Sequence, residues 1–410
     1  MFALRRAAYS AIGFLLCISC TGGENRTQTQ IVPNSAEASG PKIDGSTNGG
    51  CDPNAVDSSN RFIPHISTVP ATQGEQVRLF LHERVATDPA CRTQGVVLFI
   101  HGGSIPSAVD FDLGYQNYSW MKRLAAEGFD TFSLDHSGYG LSPRPRMDDP
   151  CNTDPAQQDI LIPNPLSGHC TASYPFQLTT IQSDWDEIDT AVDYIRALRG
   201  VEKVSLVGWS GGGPRAGGYA WHHPEKLERL FLYAPGYTAG SPTDPPPVIP
   251  QPGFPMTLQT RSILYNNRWD PQVGCEGQFD PRIREYIWPE TMTYDVLGQE
   301  WGPVEGVQRI RTAASWGWNS TTAGRVTLPT AIIVGQFDSL VPNTLDLYRD
   351  IGAAYRMHIT VPCGSHFLVW EKNHDILIRA SSEWLRTGTL GGQNRGRFVI
   401  DRNSGPRSLE

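Results

Sequence analysis

The stretch Val204-Ser205-Leu206-Val207-Gly208-Trp209-Ser210-Gly211-Gly212 constrains this chain more than any other. Its apolar start reads as a strand buried on both faces, as in parallel sheets covered by helices. It runs directly into G-x-S-x-G, and then into small residues (Gly213, Pro214, Ala216, Gly217, Gly218) that open a helix. So tight a strand-to-helix turn leaves no room for side chains at Gly208 or Gly212, and it lifts Ser210 out of the sheet. The N–H of Gly211, at the helix start, can face a developing negative charge.

A serine hydroxyl is a poor nucleophile without a base and an oxyanion site. Both have candidates at the ends of other apolar runs. Thr330-Ala331-Ile332-Ile333-Val334 leads to Asp338, and Met357-His358-Ile359-Thr360-Val361 leads to His366. Open α/β sheets place their chemistry just beyond the C-terminal ends of strands. Upstream, Val96-Val97-Leu98-Phe99-Ile100 ends in His101-Gly102-Gly103-Ser104, where the N–H of Gly103 or Ser104 could serve as a second oxyanion donor. Asp135 also follows a strand, but it begins Asp-x-x-Gly-x-Gly-x-Ser and reads as a turn-former. His101 reads as a brace for the glycine loop.

The order of these motifs resembles the α/β-hydrolase fold superfamily over roughly residues 62–388. Four motifs carry the resemblance: His101-Gly102-Gly103, Asp135 to Ser142, the Ser210 turn, and the Asp338/His366 pair. It implies a mostly parallel sheet flanked by helices. It also implies a catalytic triad with Ser210 as nucleophile, His366 as base and Asp338 as its orienting acid, and an oxyanion hole at Gly211 with Gly103 or Ser104. Dehalogenases and epoxide hydrolases of this fold carry Asp where Ser210 stands. The expected reaction is therefore hydrolysis of a carboxylic ester, apolar or aromatic, or of a lactone, through an acyl-enzyme. No metal or organic cofactor is expected. One rival is a serine peptidase of the prolyl-aminopeptidase kind, its acidic anchor drawn from Glu276, Glu285, Glu290 or Glu300. The other is a tethered binding protein that does not turn over.

The 410 residues carry a net charge of −8, which argues against a nucleic-acid partner because phosphate binding needs a basic patch. The expected partner is a small-molecule ester; the oligomeric state is left open. The N-terminus has a basic start, a short apolar stretch and then Ser19-Cys20, the layout of an export signal. Leu16-Cys17-Ile18-Ser19-Cys20 resembles a lipobox, so residues 1–20 are expected to be a signal peptide of lipoprotein type. Cys20 is the lipidation candidate that would tether the domain to a membrane surface. Plain secretion or a periplasmic location is the other expectation. Residues 21–60 and 389–410 are poor in apolar groups and read as a flexible linker and tail. Cys51, Cys91, Cys151, Cys170, Cys275 and Cys363 remain, an even number that suits disulfides in an exported chain. Spacing leaves the connectivity open; the working expectation is Cys51–Cys91, Cys151–Cys170 and Cys275–Cys363.

Roughly ninety residues separate the strand pattern at 229–233 from that at 330–334, too many for a simple crossover. Residues 239–326 are accordingly read as a cap, with 61–238 and 327–388 as the core. The cap opens with a proline run and contains Trp269, Trp288, Trp301, Trp316 and Trp318. These rings form either the cap's own core or an apolar substrate wall. Residues 142–177 read as a second, irregular insertion at the rim. The next segment repeats Ile181, Trp185, Ile188, Val192, Ile195 and Leu198 at helical spacing, with Asp184, Asp186 and Glu187 expected on its solvated face.

Overall fold

The computed structural model describes residues 51–402 and 405–409; the expected signal peptide with Cys20, and residues 21–50, lie outside the described residues. The strands are β1 (Val56–Ile66), β2 (Gln76–Ala86), β3 (Val96–Ile100), β4 (Asp130–Leu134), β5 (Thr179–Thr180), β6 (Val204–Trp209) and β7 (Leu227–Tyr233), followed by β8 (Met256–Gln259), β9 (Gln308–Arg311), β10 (Ala313–Ala314), β11 (Thr330–Gly335), β12 (Arg356–Val361), β13 (Arg395–Val399) and β14 (Arg407–Ser408). The helices are α1 (Ser107–Phe111), α2 (Trp120–Ala126), α3 (Ile181–Arg199), α4 (Gly212–His222), α5 (Arg284–Thr293), α6 (Val296–Gln299), α7 (Ser320–Ala323), α8 (Val341–Asp350) and α9 (His374–Thr387).

One ten-stranded sheet runs in the order β1-β2-β4-β3-β6-β7-β11-β12-β13-β14. From β4 to β13 every neighbouring pair is parallel, and only the two edges are antiparallel. Every residue of β3, β4, β6 and β11 is buried. Alternate side chains of one strand point to opposite faces. Val97 and Phe99 therefore join a core with Trp120, Trp370 and Trp384, while Val96, Leu98 and Ile100 join one with Trp185, Ile188 and Tyr219. Each such buried side chain stabilises the fold by about 1.5–3 kcal/mol. Helix α3 is capped by reciprocal Thr180 and Ser183 hydrogen bonds and ends at Gly200 in the left-handed conformation.

Two boundaries read from composition need correction. The linker expected to reach residue 60 stops earlier: Cys51 is disulfide-bonded to Cys91, and β1 pairs with β2 from Val56 to Ile66. The tail expected from 389 is likewise not a tail, since β13 pairs with β12 and β14 with β13. β1 and β14 are the edge strands of the sheet, and both are mostly exposed. Main-chain pairing orders them, and their polar side chains hide them from a hydropathy reading.

Residues 142–177 form no separate rim loop. Thr153 bridges to Met256 and Phe176 to Pro252. Met147, Leu161 and Leu166 share a third apolar cluster with Met256, Leu258, Trp301 and Val307. This insertion and the antiparallel β8/β9 ribbon thus form one layer.

Candidate active site

Ser210 follows β6 with φ of 53°, a left-handed value that costs a non-glycine residue free energy and tends to mark functional turns. The turn is pinned by hydrogen bonds from Ser210 N to Tyr233 O (3.0 Å) and from Gly213 N to Ser210 O (2.9 Å). A Cβ on Gly208 would lie 2.6 Å from Gly212 O, and one on Gly212 would lie 2.2 Å from Ile100 O. Both glycines are therefore sterically required, as the tight turn predicts.

Asp338 and His366 come together beyond the ends of β11 and β12. Asp338 Oδ2 lies 2.9 Å from His366 Nδ1, and its Oδ1 accepts the N–H of Leu340 (2.8 Å). The carboxylate is completely buried, whereas the imidazole keeps 10% of its side-chain surface exposed. Ser210 and His366 line the same cleft. No hydrogen bond joins their side chains among the described residues, a looseness common in sites without substrate. An aspartate–histidine pair facing an elbow serine is the arrangement that can draw a proton from a hydroxyl.

The histidine's backbone is held by rings. Trp209 Nε1 (3.2 Å) and Tyr233 Oη (2.6 Å) both donate to His366 O, and the two rings stack at 5.3 Å. Glu371, invisible to the motif reading, sits fully buried under the same loop. It accepts from Ser365 N (2.9 Å), Ser365 Oγ (2.5 Å), Trp269 Nε1 (3.0 Å) and Gln278 Nε2 (2.8 Å). Burial raises its carboxyl above the usual range, against the pull of these donors. Gln272 reaches from the 239–326 segment to accept the N–H of His366 (3.1 Å).

Across the cleft, the loop 101–104 brings its backbone against the start of α4. A Cβ on Gly211 would lie 3.2 Å from Gly103 N. The N–H groups of Gly103, Ser104 and Gly211 have no acceptor among the described residues. Beneath the loop lies a buried charge network. Arg215 Nη1 donates to His101 O (2.9 Å) and Gly102 O (3.2 Å). Asp184 binds Arg215 Nε (2.9 Å) and Arg311 Nη2 (2.6 Å). Glu187 Oε2 takes His136 Nδ1 (2.9 Å) and Ser137 N (3.0 Å). Asp184 and Glu187 are therefore buried, which corrects their expected place on a solvated face. Helical periodicity sorts apolar from charged residues, but it cannot see a partner such as Arg311, far along the chain.

Burial works against the Asp184 charge, yet Arg311 and Arg215 hold its carboxyl below the usual range. Burial lowers the proton affinity of His136 and, more strongly, that of His101. The ligand atoms of His136, Asp184 and Glu187 lie within 4.8 Å of one another, a spacing a cation could use. Two guanidinium groups already pair with the Asp184 carboxylate. Asp135 is a turn residue: Oδ1 accepts Ser107 N (2.9 Å) and Oδ2 accepts Leu141 N (3.0 Å).

The cleft beside Ser210, about 450 Å³, is lined by Asn267, Arg268, Pro271, Gln272, Ser339, Leu340 and Phe367. It narrows to a slot between Gly103, Ser104, Asp110, Ser210 and Arg268. Arg268 stands at the end of a π-helical segment, Ile263–Trp269. Its guanidinium donates to Gln259 Oε1 (2.5 Å), and burial lowers its proton affinity. Neither Arg268 nor Asp110 belongs to a motif, so the sequence reading missed both. The five tryptophans of residues 239–326 are buried, and Trp269 stacks on Phe367 at 5.2 Å; the ring on the cleft wall is Phe367. Glu276, Glu285, Glu290 and Glu300 are exposed and are not part of the cleft lining, so they do not form the acidic anchor an aminopeptidase would need. The disulfides join Cys51–Cys91, Cys151–Cys170 and Cys275–Cys363.

A parallel sheet with Ser210 in a left-handed turn after one central strand, and the paired Asp338 and His366 after two later ones, is the framework of a hydrolase built on an α/β sandwich. Residues 97–380 match the Alpha/beta hydrolase family, and the chain belongs to it. Among curated relatives, the 2-hydroxy-6-oxo-6-phenylhexa-2,4-dienoate hydrolase of Comamonas testosteroni is 28% identical over 211 residues, covering 48% of this chain and 67% of the relative. Among solved structures, a serine hydrolase involved in carbazole degradation aligns with a TM-score of 0.49 at 16% identity, over 80% of this chain and 99% of the other. An esterase from Thermogutta terrifontis aligns with a TM-score of 0.47 at 16% identity, over 80% and 98%.

Proposed function

We propose that this hydrolase cleaves carboxylic esters through an acyl-enzyme on Ser210. The observation that carries the reading is a left-handed serine elbow sharing one cleft with a histidine whose Nδ1 is bound to a buried aspartate. His366 takes the hydroxyl proton as Ser210 attacks the carbonyl carbon, and Asp338 stabilises the imidazolium. The oxyanion is received by N–H groups of Gly211 and of Gly103 or Ser104. His366 then protonates the leaving oxygen, and water repeats the sequence to release the acid. Leu340, Pro271 and Phe367 offer an apolar wall for an ester or lactone.

Turnover of p-nitrophenyl acetate, butyrate and octanoate, beside Ser210→Ala, tests this. Loss of about 10⁶-fold in kcat is expected, as in other serine triads. Activity retained in the variant, or no labelling of Ser210 by a serine-reactive phosphonate, would refute it; a folded protein with neither would be a binding protein.

A second reading is favoured by Arg268. A cation on the cleft wall suits a substrate bearing a carboxylate, and the Comamonas relative is named for a dienoate. Turnover of that dienoate at a higher kcat/KM than any simple ester would decide for it. The three disulfides suit an oxidising compartment, so we also infer export, with lipidation at Cys20 tested by mass spectrometry of the mature N-terminus.

A further inference from the structure

Asp110 is the one carboxyl of the slot that the reaction above leaves unused. It sits on α1, 1% exposed. Its Oδ2 accepts the N–H of Gly102 (3.0 Å), while its Oδ1 is buried without a partner among the described residues. The residue lines the slot together with Ser210, Gly103, Ser104 and His366. Its Oδ2 would lie 3.6 Å from a Cβ built on Gly102, and that Cβ would stand 3.5 Å from Ser210 Cβ. The carboxyl is therefore next to the place where an oxyanion would form.

Two facts must be reconciled. A carboxylate here would repel the charge the slot is built to receive, and a buried oxygen without a partner costs about 1–3 kcal/mol. Both problems vanish if Oδ1 carries a proton and meets an acceptor on the bound substrate. Resting on the acyl-transfer reading, we propose that Asp110 is a neutral hydrogen-bond donor, fixed through Oδ2 by Gly102. Its Oδ1–H would select acyl groups that carry an acceptor oxygen close to the scissile carbonyl, such as alkoxy, hydroxy or oxo acids.

The surroundings support a neutral acid. Burial pushes the Asp110 carboxyl well above the usual range, with Asp135 adding to it, while Gly102 N–H, Arg215 and Arg268 oppose it. The remaining titratable neighbours are His366, in the same slot, and His101, on the adjoining loop. Neutral acids kept for donation are a known use of such pockets. Arg268, which lines the same slot, can contact the same oxygen-rich acyl group.

The test compares wild type, Asp110→Asn and Asp110→Leu on two matched esters, p-nitrophenyl methoxyacetate and butyrate. Their kcat/KM ratio is divided by the ratio of their hydroxide hydrolysis rates. Wild type should prefer methoxyacetate. The Leu variant should lose about tenfold of that preference, the worth of one hydrogen bond. The Asn variant keeps a donor and should keep the preference. It should also lack the alkaline decline that deprotonation of Asp110 adds in wild type. An infrared difference spectrum between wild type and Asp110→Asn should show a protonated carboxyl band independently of turnover. Equal ratios in all three proteins, or no such band, would overturn the proposal. Phosphonate labelling of Ser210, run on the same samples, reports the acyl-enzyme reading separately: no labelling with the band present would sink that reading and leave Asp110 a neutral acid.

Discussion

The two loops that face each other across the cleft stand on opposite kinds of foundation. Loop 101–104 rests on Arg215, Asp184, Arg311, His136 and Glu187, a buried lattice of charges. The His366 loop rests on Trp209, Tyr233, Trp370 and Trp269, with the buried carboxyl of Glu371 beneath it. Charge lattices fix direction but fail abruptly, because removing one member strands the others without water. Aromatic packing yields by degrees, since its energy is spread over many contacts. The difference suits the work proposed for each loop. Oxyanion donors must not move, whereas a histidine that first accepts and then gives a proton needs some play.

Asp184→Asn should expose that contrast most strongly. It leaves Arg215 and Arg311 buried without their shared anion, at a cost of about 3–5 kcal/mol. The readout is a lower urea midpoint with an unchanged slope. Turnover should fall further than the unfolded fraction explains, because Arg215 also holds the carbonyls of His101 and Gly102. A loss below about 1 kcal/mol would mean the lattice is not the support described.

Tyr233→Phe should cost less, about 1–3 kcal/mol. The hydroxyl donates to His366 O (2.6 Å) and accepts from Val369 N (3.3 Å), but the stacked ring stays. An effect as large as that of Asp184→Asn would erase the distinction between the two foundations.

The smallest effect is in pH dependence, and it separates the loops by sign. His101 and His136 have lowered proton affinity in the folded state because burial disfavours their charged forms. Below the ordinary histidine value of about 6.5, the unfolded chain therefore takes up protons that the folded one refuses, and stability falls with falling pH. Glu371 has the opposite shift. Its folded form keeps a proton the unfolded chain loses, so its contribution falls as pH rises from about 4.3, the ordinary glutamate value, to its own raised value. His136→Gln should flatten the acid limb of a stability-against-pH curve. Glu371→Gln should flatten the fall on the other side, and an unchanged curve in both would contradict the assigned directions.

What is legible in the sequence follows from where a residue finds its partners. β3, β6 and β11 are buried on both faces, so their unbroken apolar runs announce them. The positions of Ser210, Asp338 and His366 can then be read from the ends of such runs. β1 and β14 pair at the sheet edges, where backbone hydrogen bonds do the ordering and side chains stay mostly polar. Asp184 and Glu187 look like surface residues because their partners lie on β9 and α4 and in the turn after β4. Arg268 and Asp110 reach the slot from short segments, Ile263–Trp269 and Ser107–Phe111, whose patterns carry no periodic signal.

The Cys275–Cys363 bond gives the cleft a mechanical character of its own. One end lies in the segment that carries Arg268 and Gln272, and the other lies close before His366 on the same loop. A roof bolted to the floor beside His366 cannot swing like a free door without dragging that histidine along. Cutting the bolt with a reductant would turn a fixed canopy into a hinged one.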